Sequence, residues 1–146
     1  MTAQREIARP AGEVFEFFSD VSNNPLWQNG MKSCRWTSEP PIGEGSTYEQ
    51  HARFMGKGIR STFVVTEYES GGRIVIKSVE STFPIEVERV VLSTGTDSCR
   101  VSALISGGPQ GGFAKLLEPL VGRLAQKSVD RDYDRLVELL ESAHRT

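Results

Sequence analysis

Apolar and polar residues alternate with a period of two through most of residues 31–105. In one such run, Tyr48 and Gln50 share one face of a predicted strand, and Glu49 and His51 share the other. This alternation is typical of a half-buried β-strand, and glycine-containing turns separate the successive runs. The segment therefore predicts six antiparallel strands, each with one face toward the core and one toward solvent.

The last third of the chain has helical spacing instead. Apolar residues recur there at offsets of three and four, which places them in two stripes along a helix. The first stripe comprises Phe113, Leu117, Leu120 and Leu124, and the second comprises Val129, Tyr133, Leu136 and Leu140. At 3.6 residues per turn, the two stripes are rotated by roughly a third of a turn relative to each other. We expect the second stripe to anchor the helix and the first to roof a space beside the sheet.

The N-terminal residues predict a strand and two short helices ahead of the six strands. Gln4–Ala8 is typical of a strand. Pro10 then favours the first turn of a helix, where its missing N–H costs nothing. Asn24–Trp27 predicts a second, very short helical turn. An antiparallel sheet with its helices segregated to one side is an α+β fold.

Length, composition and charge exclude several classes of protein. A chain of 146 residues is sufficient for one core, and we expect a single domain, 1–146. The net charge of −2 and the pI near 5.7 argue against nucleic acid as a partner, because phosphate binding needs a concentrated basic face. No apolar run is long enough to span a membrane, and the first residues are too polar for a signal peptide. These features predict a cytoplasmic protein without integral membrane association. Oligomeric state has no signature in the sequence.

No motif in the chain specifies a reaction. Gly107 and Gly112 have the spacing of a phosphate-binding loop, but Phe113 stands where that loop requires lysine. The two histidines, His51 and His144, have no partner at ligand spacing, so we predict no metal and no cofactor.

The two cysteines, Cys34 and Cys99, both fall in predicted strands. In a cytosolic chain such residues are usually small buried hydrophobes, and the alternative is a disulfide if the fold brings them together.

Four segments carry a resemblance to a known family. They are Arg5–Asp20, Asn24–Trp27, Ile42–Tyr48 and Val65–Tyr68. With the C-terminal helix, they resemble the polyketide cyclase/dehydrase and lipid-transport family of the START-like, helix-grip (SRPBCC) superfamily. The resemblance implies a curved, seven-stranded antiparallel sheet wrapped around the long C-terminal helix, with a cavity between them. The family includes aromatase/cyclases, dehydratases and binders of lipids or hormones, so the resemblance implies a class of site rather than one activity.

The leading hypothesis is a protein that binds a hydrophobic small molecule, such as a lipid, a polyketide-like compound or an isoprenoid. Aromatic and aliphatic side chains would line the cavity, and Gln50 would supply a polar group. The predicted ligand-binding residues are Trp27, Trp36, Tyr48, Gln50, Phe63, Ile76, Phe83, Ile85, Val101, Phe113, Leu117, Leu120 and Leu124.

Two alternatives stay open at this point. One is a cyclase or dehydratase acting on an aromatic polyketide-type substrate in the same cavity. It needs a base there, and the candidates are His51 and Glu67, assisted by Tyr48. If Glu49, His51 and Arg53 faced inward instead of outward, they would form a charged cluster in the cavity. The other alternative is a protein–protein interaction module whose cavity is filled by its own side chains.

Overall fold

A computed structural model describes residues 1–54, 56–81, 84–107 and 119–143 of the chain. Within these residues, no helix combines the length and apolar character needed to cross a bilayer.

Seven antiparallel strands form one curved sheet. Their bounds are β1 Thr2–Ile7, β2 Met31–Trp36, β3 Thr47–Phe54, β4 Lys57–Glu69, β5 Arg73–Glu80, β6 Glu86–Gly95 and β7 Ser98–Ser106. The spatial order is β1-β7-β6-β5-β4-β3-β2, so neighbours are consecutive in sequence except where β1 pairs with β7. The two edge strands are therefore β1 and β2, and the first helices connect one edge to the other.

Four helical segments accompany the sheet in the described part of the chain. They are α1 Ala11–Ser19, a 3-10 turn Val21–Asn23, α2 Asn24–Trp27 and the long helix α3 Pro119–Ala143. The predicted first helix begins directly after Pro10, and the carboxylate of Asp20 caps the 3-10 turn by accepting the Ser22 N–H. The α+β, helix-grip fold class that the sequence predicted is thus confirmed.

The second stripe of the C-terminal helix anchors it as predicted. Tyr133 and Leu136 are fully buried, and Val129 and Leu140 are partly buried against the core. The Tyr133 ring packs edge-on to Trp27 of α2, with ring centroids 5.0 Å apart. Helix α3 therefore packs through its second half against α2 and β1.

The first stripe does not face the sheet where the structure describes it. Leu120 is 71% exposed and Leu124 is 54% exposed, whereas Ala125 is buried. Leu124 precedes Val129 by five residues, a rotation of roughly 140° on a helix, so it points away when Val129 faces inward. The inward-facing row continues from Val129 through Ala125 instead. Phe113 and Leu117 lie outside the described residues.

Candidate functional site

Two pockets lie between the concave face of the sheet and α3. We call them the outer pocket, with a volume of about 240 Å³, and the inner pocket, with a volume of about 140 Å³. They have six wall residues in common: Gln28, Gln50, Phe63, Ile85, Ile105 and Val129. Because they share these walls, the pockets are adjacent, and we call the two together the cleft.

The outer pocket lies beneath the first half of α3. The helix contributes Ala125 and Val129, and the facing strands contribute Ala52, Ile59 and Ser61. Alanine and serine side chains reach only a short way from the backbone. The helix and the sheet therefore leave space between them at this end.

The inner pocket is walled by large side chains from several elements. Trp27 of α2, Tyr48 of β3, Arg89 of β6 and Tyr133 of α3 all line it. The rings of Tyr48 and Phe63 stack with centroids 5.0 Å apart and planes 9° from parallel. The inner pocket therefore combines aromatic rings that carry hydrogen-bonding groups, from the tryptophan and the two tyrosines, with the guanidinium of Arg89.

Arg89 carries the guanidinium of this wall, and it is 4% exposed. Its Nη1 donates to the carbonyl oxygen of Phe18 at 2.8 Å and to Oδ1 of Asn24 at 3.1 Å. The guanidinium carbon lies 4.9 Å from the ring centroid of Phe18 and 5.2 Å from that of Trp27. Aromatic faces at these distances attract a cation. The position of the guanidinium is therefore well defined at the junction of α1, α2 and β6.

Burial perturbs the ionisable groups around Arg89. It raises the pKa of Tyr48 well above its ordinary value, and the positive charge of Arg89 opposes part of that rise. Burial also raises the pKa of Tyr133, again opposed by Arg89. The pKa of Asp132 is raised by burial as well, although the Asn29 N–H and Arg135 act in the other direction. Both tyrosines are thus neutral hydrogen-bonding groups at physiological pH.

Six of the predicted wall residues line the cleft. They are Trp27, Tyr48, Gln50, Phe63, Ile76 and Ile85. The alternation predicted the inward positions of Tyr48, Gln50, Ile76 and Ile85, whereas Trp27 and Phe63 were proposed because they are aromatic.

Other predicted wall residues lie elsewhere. Trp36 packs edge-on to Tyr48 and donates from Nε1 to Oδ1 of Asp20 at 2.8 Å. Val101 is fully buried in the core and lines neither pocket. Leu120 and Leu124 are exposed, as described above. Phe83, Phe113 and Leu117 lie outside the described residues.

The two candidate bases are on the outer face of the sheet. His51 is half-buried and lines a shallow outer groove with Arg60 and Glu80. Glu67 is exposed and pairs with Arg73 at 3.2 Å. Neither side chain lines the cleft, so the predicted parity of the Glu49 and His51 face holds. The two bases that the sequence offered for the enzyme alternative therefore do not face the cleft.

The buried cysteines are not joined. Cys34 and Cys99 are both free and buried, as expected for small core residues. Burial raises the pKa of the Cys34 thiol to about 12, and the charge of Arg89 opposes that effect.

Arg89 and Tyr133 are among the wall residues that were not predicted from the sequence; others are Gln28, Ala125 and Asp132. Arg89 alternates in phase with Val87 and Val91, so its inward parity was readable from the strand. Tyr133 was placed in the anchoring stripe, and it serves both purposes because its ring spans the helix and the inner pocket. What the sequence lacked was the proximity of β6 to α1 and α2, which accommodates a buried cation.

The curved sheet, the long helix and the cleft between them define a helix-grip protein. The family model described as "Polyketide cyclase / dehydrase and lipid transport" matches residues 1–142, and the chain belongs to that family. No curated protein sequence matches the chain significantly.

Solved structures agree on the fold. The chain is similar to the protein TTHA0849 from Thermus thermophilus, with 22% identity, 98% of this chain and 97% of that chain covered, and a TM-score of 0.75. It is similar to a START superfamily protein from Mycobacterium smegmatis, with 19% identity, coverage of 98% and 94%, and a TM-score of 0.70. It is also similar to the Zhui aromatase/cyclase from a Streptomyces species, with 13% identity, coverage of 98% and 91%, and a TM-score of 0.69. At these identities the likeness concerns the fold alone.

Proposed function

We propose that this protein binds a hydrophobic small molecule in the cleft between the sheet and α3. The observation that carries the proposal is the outer pocket of about 240 Å³ with a largely apolar wall. Pockets of this kind, apolar with a few convergent polar groups, are the usual form of small-molecule sites. Family membership supports the same class of function, since its description includes lipid transport as well as polyketide cyclisation.

The pocket walls supply affinity mainly by burying apolar surface. Each Å² of apolar ligand surface removed from water contributes roughly 25 cal/mol. The cost of immobilising the ligand offsets part of that gain, so we expect affinities in the micromolar range for a ligand that fills the outer pocket. His51 and Glu67 lie outside the cleft. The carboxylate of Asp132, which lines it, accepts the Asn29 N–H and lies 3.4 Å from Nη1 of Arg135. Binding is therefore the function proposed here.

Ala125→Trp tests this function directly. Ala125 is 4% exposed and lines the outer pocket, so an indole at this position fills the space that the ligand would occupy. The probe is the neutral fluorophore N-phenyl-1-naphthylamine, whose emission rises on transfer from water to an apolar site. We expect the wild-type protein to enhance the emission saturably and Ala125→Trp to weaken probe binding at least tenfold.

The matched control is Leu124→Trp, a substitution to the same residue one position earlier on the same helix. Leu124 is 54% exposed and lines neither pocket. Its replacement should leave probe binding within about twofold of wild type. Equal binding by all three proteins, or no saturable binding by the wild type, would refute the proposed site. Thermal unfolding of each variant checks that the fold is retained.

A further inference from the structure

We propose that Arg89 binds an anionic oxygen of the ligand, so that the cleft selects an amphipathic acid: an apolar body with one carboxylate or a comparable anionic oxygen. This inference rests on the proposed function, because it assigns the head group of a ligand whose body occupies the outer pocket. It places the acidic group in the inner pocket and the apolar part beneath α3.

Arg89 is a buried positive charge on the wall of the inner pocket. Arg89 is 4% exposed, and guanidinium groups stay protonated in proteins. A buried charge is strongly unfavourable unless it is paired and hydrogen-bonded. Within the described residues, no carboxylate oxygen lies within 4.0 Å of a guanidinium nitrogen of Arg89. The folded protein therefore maintains a cation at the cleft wall without an anionic partner from that part of the chain.

The hydrogen-bond donors of Arg89 and Trp27 are only partly paired. Nη1 of Arg89 has two acceptors, the Phe18 carbonyl and Oδ1 of Asn24. The side chain of Tyr133 is a further hydrogen-bond partner of the guanidinium. In contrast, Nε of Arg89 and Nε1 of Trp27 are both buried and have no hydrogen-bond partner among the described residues. Both residues line the inner pocket. Both of these groups are N–H donors, and buried donors are normally hydrogen-bonded, so we infer that the ligand supplies an acceptor in that pocket.

Among the described residues that line the inner pocket, Asp132 carries the carboxylate. Its Oδ1 accepts the Asn29 N–H at 3.1 Å and lies 3.4 Å from Nη1 of Arg135. Its charge is therefore already partnered on the side of α2 and α3. Asp132 adds some repulsion toward an anion, but it does not form an ion pair with Arg89.

The buried charge of Arg89 and the unpartnered donors beside it favour an anionic oxygen over a neutral one as their acceptor. A carboxylate offers about four acceptor sites and a full negative charge, whereas an alcohol is a neutral acceptor and brings a further donor. Hydrogen bonds between charged partners are shorter and stronger than those between neutral groups. The inner pocket therefore distinguishes an acid from an alcohol with the same apolar chain.

Octanoate and 1-octanol form the test pair, because they share a chain of eight carbons and differ in the head group. Binding of each to the full chain is measured at pH 7 by isothermal titration calorimetry, with displacement of N-phenyl-1-naphthylamine as a second readout. We expect the wild-type protein to bind octanoate roughly tenfold or more tightly than 1-octanol, as expected for a charge-assisted hydrogen bond. Arg89→Met should remove that preference and leave 1-octanol binding within about threefold of wild type.

Arg100→Met is the control for charge, since Arg100 lies on the neighbouring strand β7, is 45% exposed and pairs with Glu6. It should keep the preference for octanoate. Equal affinity of the wild type for the two probes would overturn the assignment of Arg89 even if Arg89→Met fails to fold. If N-phenyl-1-naphthylamine binds but octanoate does not displace it, the assignment of Arg89 alone is overturned. If none of the three compounds binds, the proposed function itself is overturned, so the two failures are distinguished.

Discussion

The two ends of the cleft differ in how the long helix meets the sheet. At the inner end, Tyr133 and Leu136 of α3 are buried, and aromatic rings close around Arg89. At the outer end, the leucines of α3 point to solvent, and Ala125 faces the sheet. Large side chains on the inner face fill the space between helix and sheet, and a small one leaves a pocket. The second half of α3 thus anchors the helix in the core, and its first half covers the outer pocket. The size of the inward-facing side chains determines this difference.

Leu136→Ala against Leu124→Ala tests the anchor with the same chemical change on one helix. Leu136 is 0% exposed, so its truncation leaves a cavity in the core and should lower the free energy of unfolding by about 2–5 kcal/mol. Leu124 is 54% exposed, and its truncation should change stability by less than about 0.5 kcal/mol. Urea denaturation followed by circular dichroism measures both. Similar losses for the two variants would mean that both halves of α3 are anchored alike.

The free energy of unfolding above pH 9 depends on how well the Cys34 thiol at the inner end is shielded from water. Cys34 packs near Asn24 there, and burial raises its pKa from 9.0 to about 12. The unfolded chain loses the thiol proton from pH 9 upward while the folded chain retains it, so the stability present below pH 9 is lost progressively toward pH 12. Between pH 9 and pH 10 this single group should lower the free energy of unfolding by about 1 kcal/mol.

Cys34→Ala isolates that contribution. Urea midpoints of wild type and variant, taken at about pH 8, 9 and 10, should converge as the pH rises, because the variant lacks the titrating thiol. Tyr48, whose pKa is also raised, remains in both proteins and cancels in the difference. Parallel pH profiles for the two proteins would show that water reaches the thiol in the folded state.

The sequence predicted the fold well because period-two alternation and helical stripes are local signals. On β3 and β5 the alternation predicted that Tyr48, Gln50 and Ile76 share an inward face, and these residues line the cleft in the structure. These residues follow from strand geometry alone, since a strand with one buried face has a fixed set of inward positions.

The site itself was predicted only in part, for two physical reasons. Leu120 and Leu124 were placed on the wall because they are large and apolar, yet the rotation of α3 is set by its second half, which turns Ala125 inward. Arg89 was not predicted as a wall residue, because a charged side chain is not expected at an inward position of an alternating strand. Only the three-dimensional meeting of β6 with Phe18 and Trp27 shows why a cation is accommodated there.

The outer face of the sheet should be the least sensitive part of the molecule. His51→Ala and Glu67→Gln alter an outer groove and a surface ion pair, respectively, and neither residue lines the cleft. Exposed ion pairs contribute little to the free energy of unfolding, and so do most side chains outside the core. Each substitution should therefore change the free energy of unfolding by less than about 1 kcal/mol. Binding of N-phenyl-1-naphthylamine and of octanoate should stay within about twofold of wild type in both variants. A tenfold loss of binding in either one would bring the outer face into the site and revive an acid–base role for that residue.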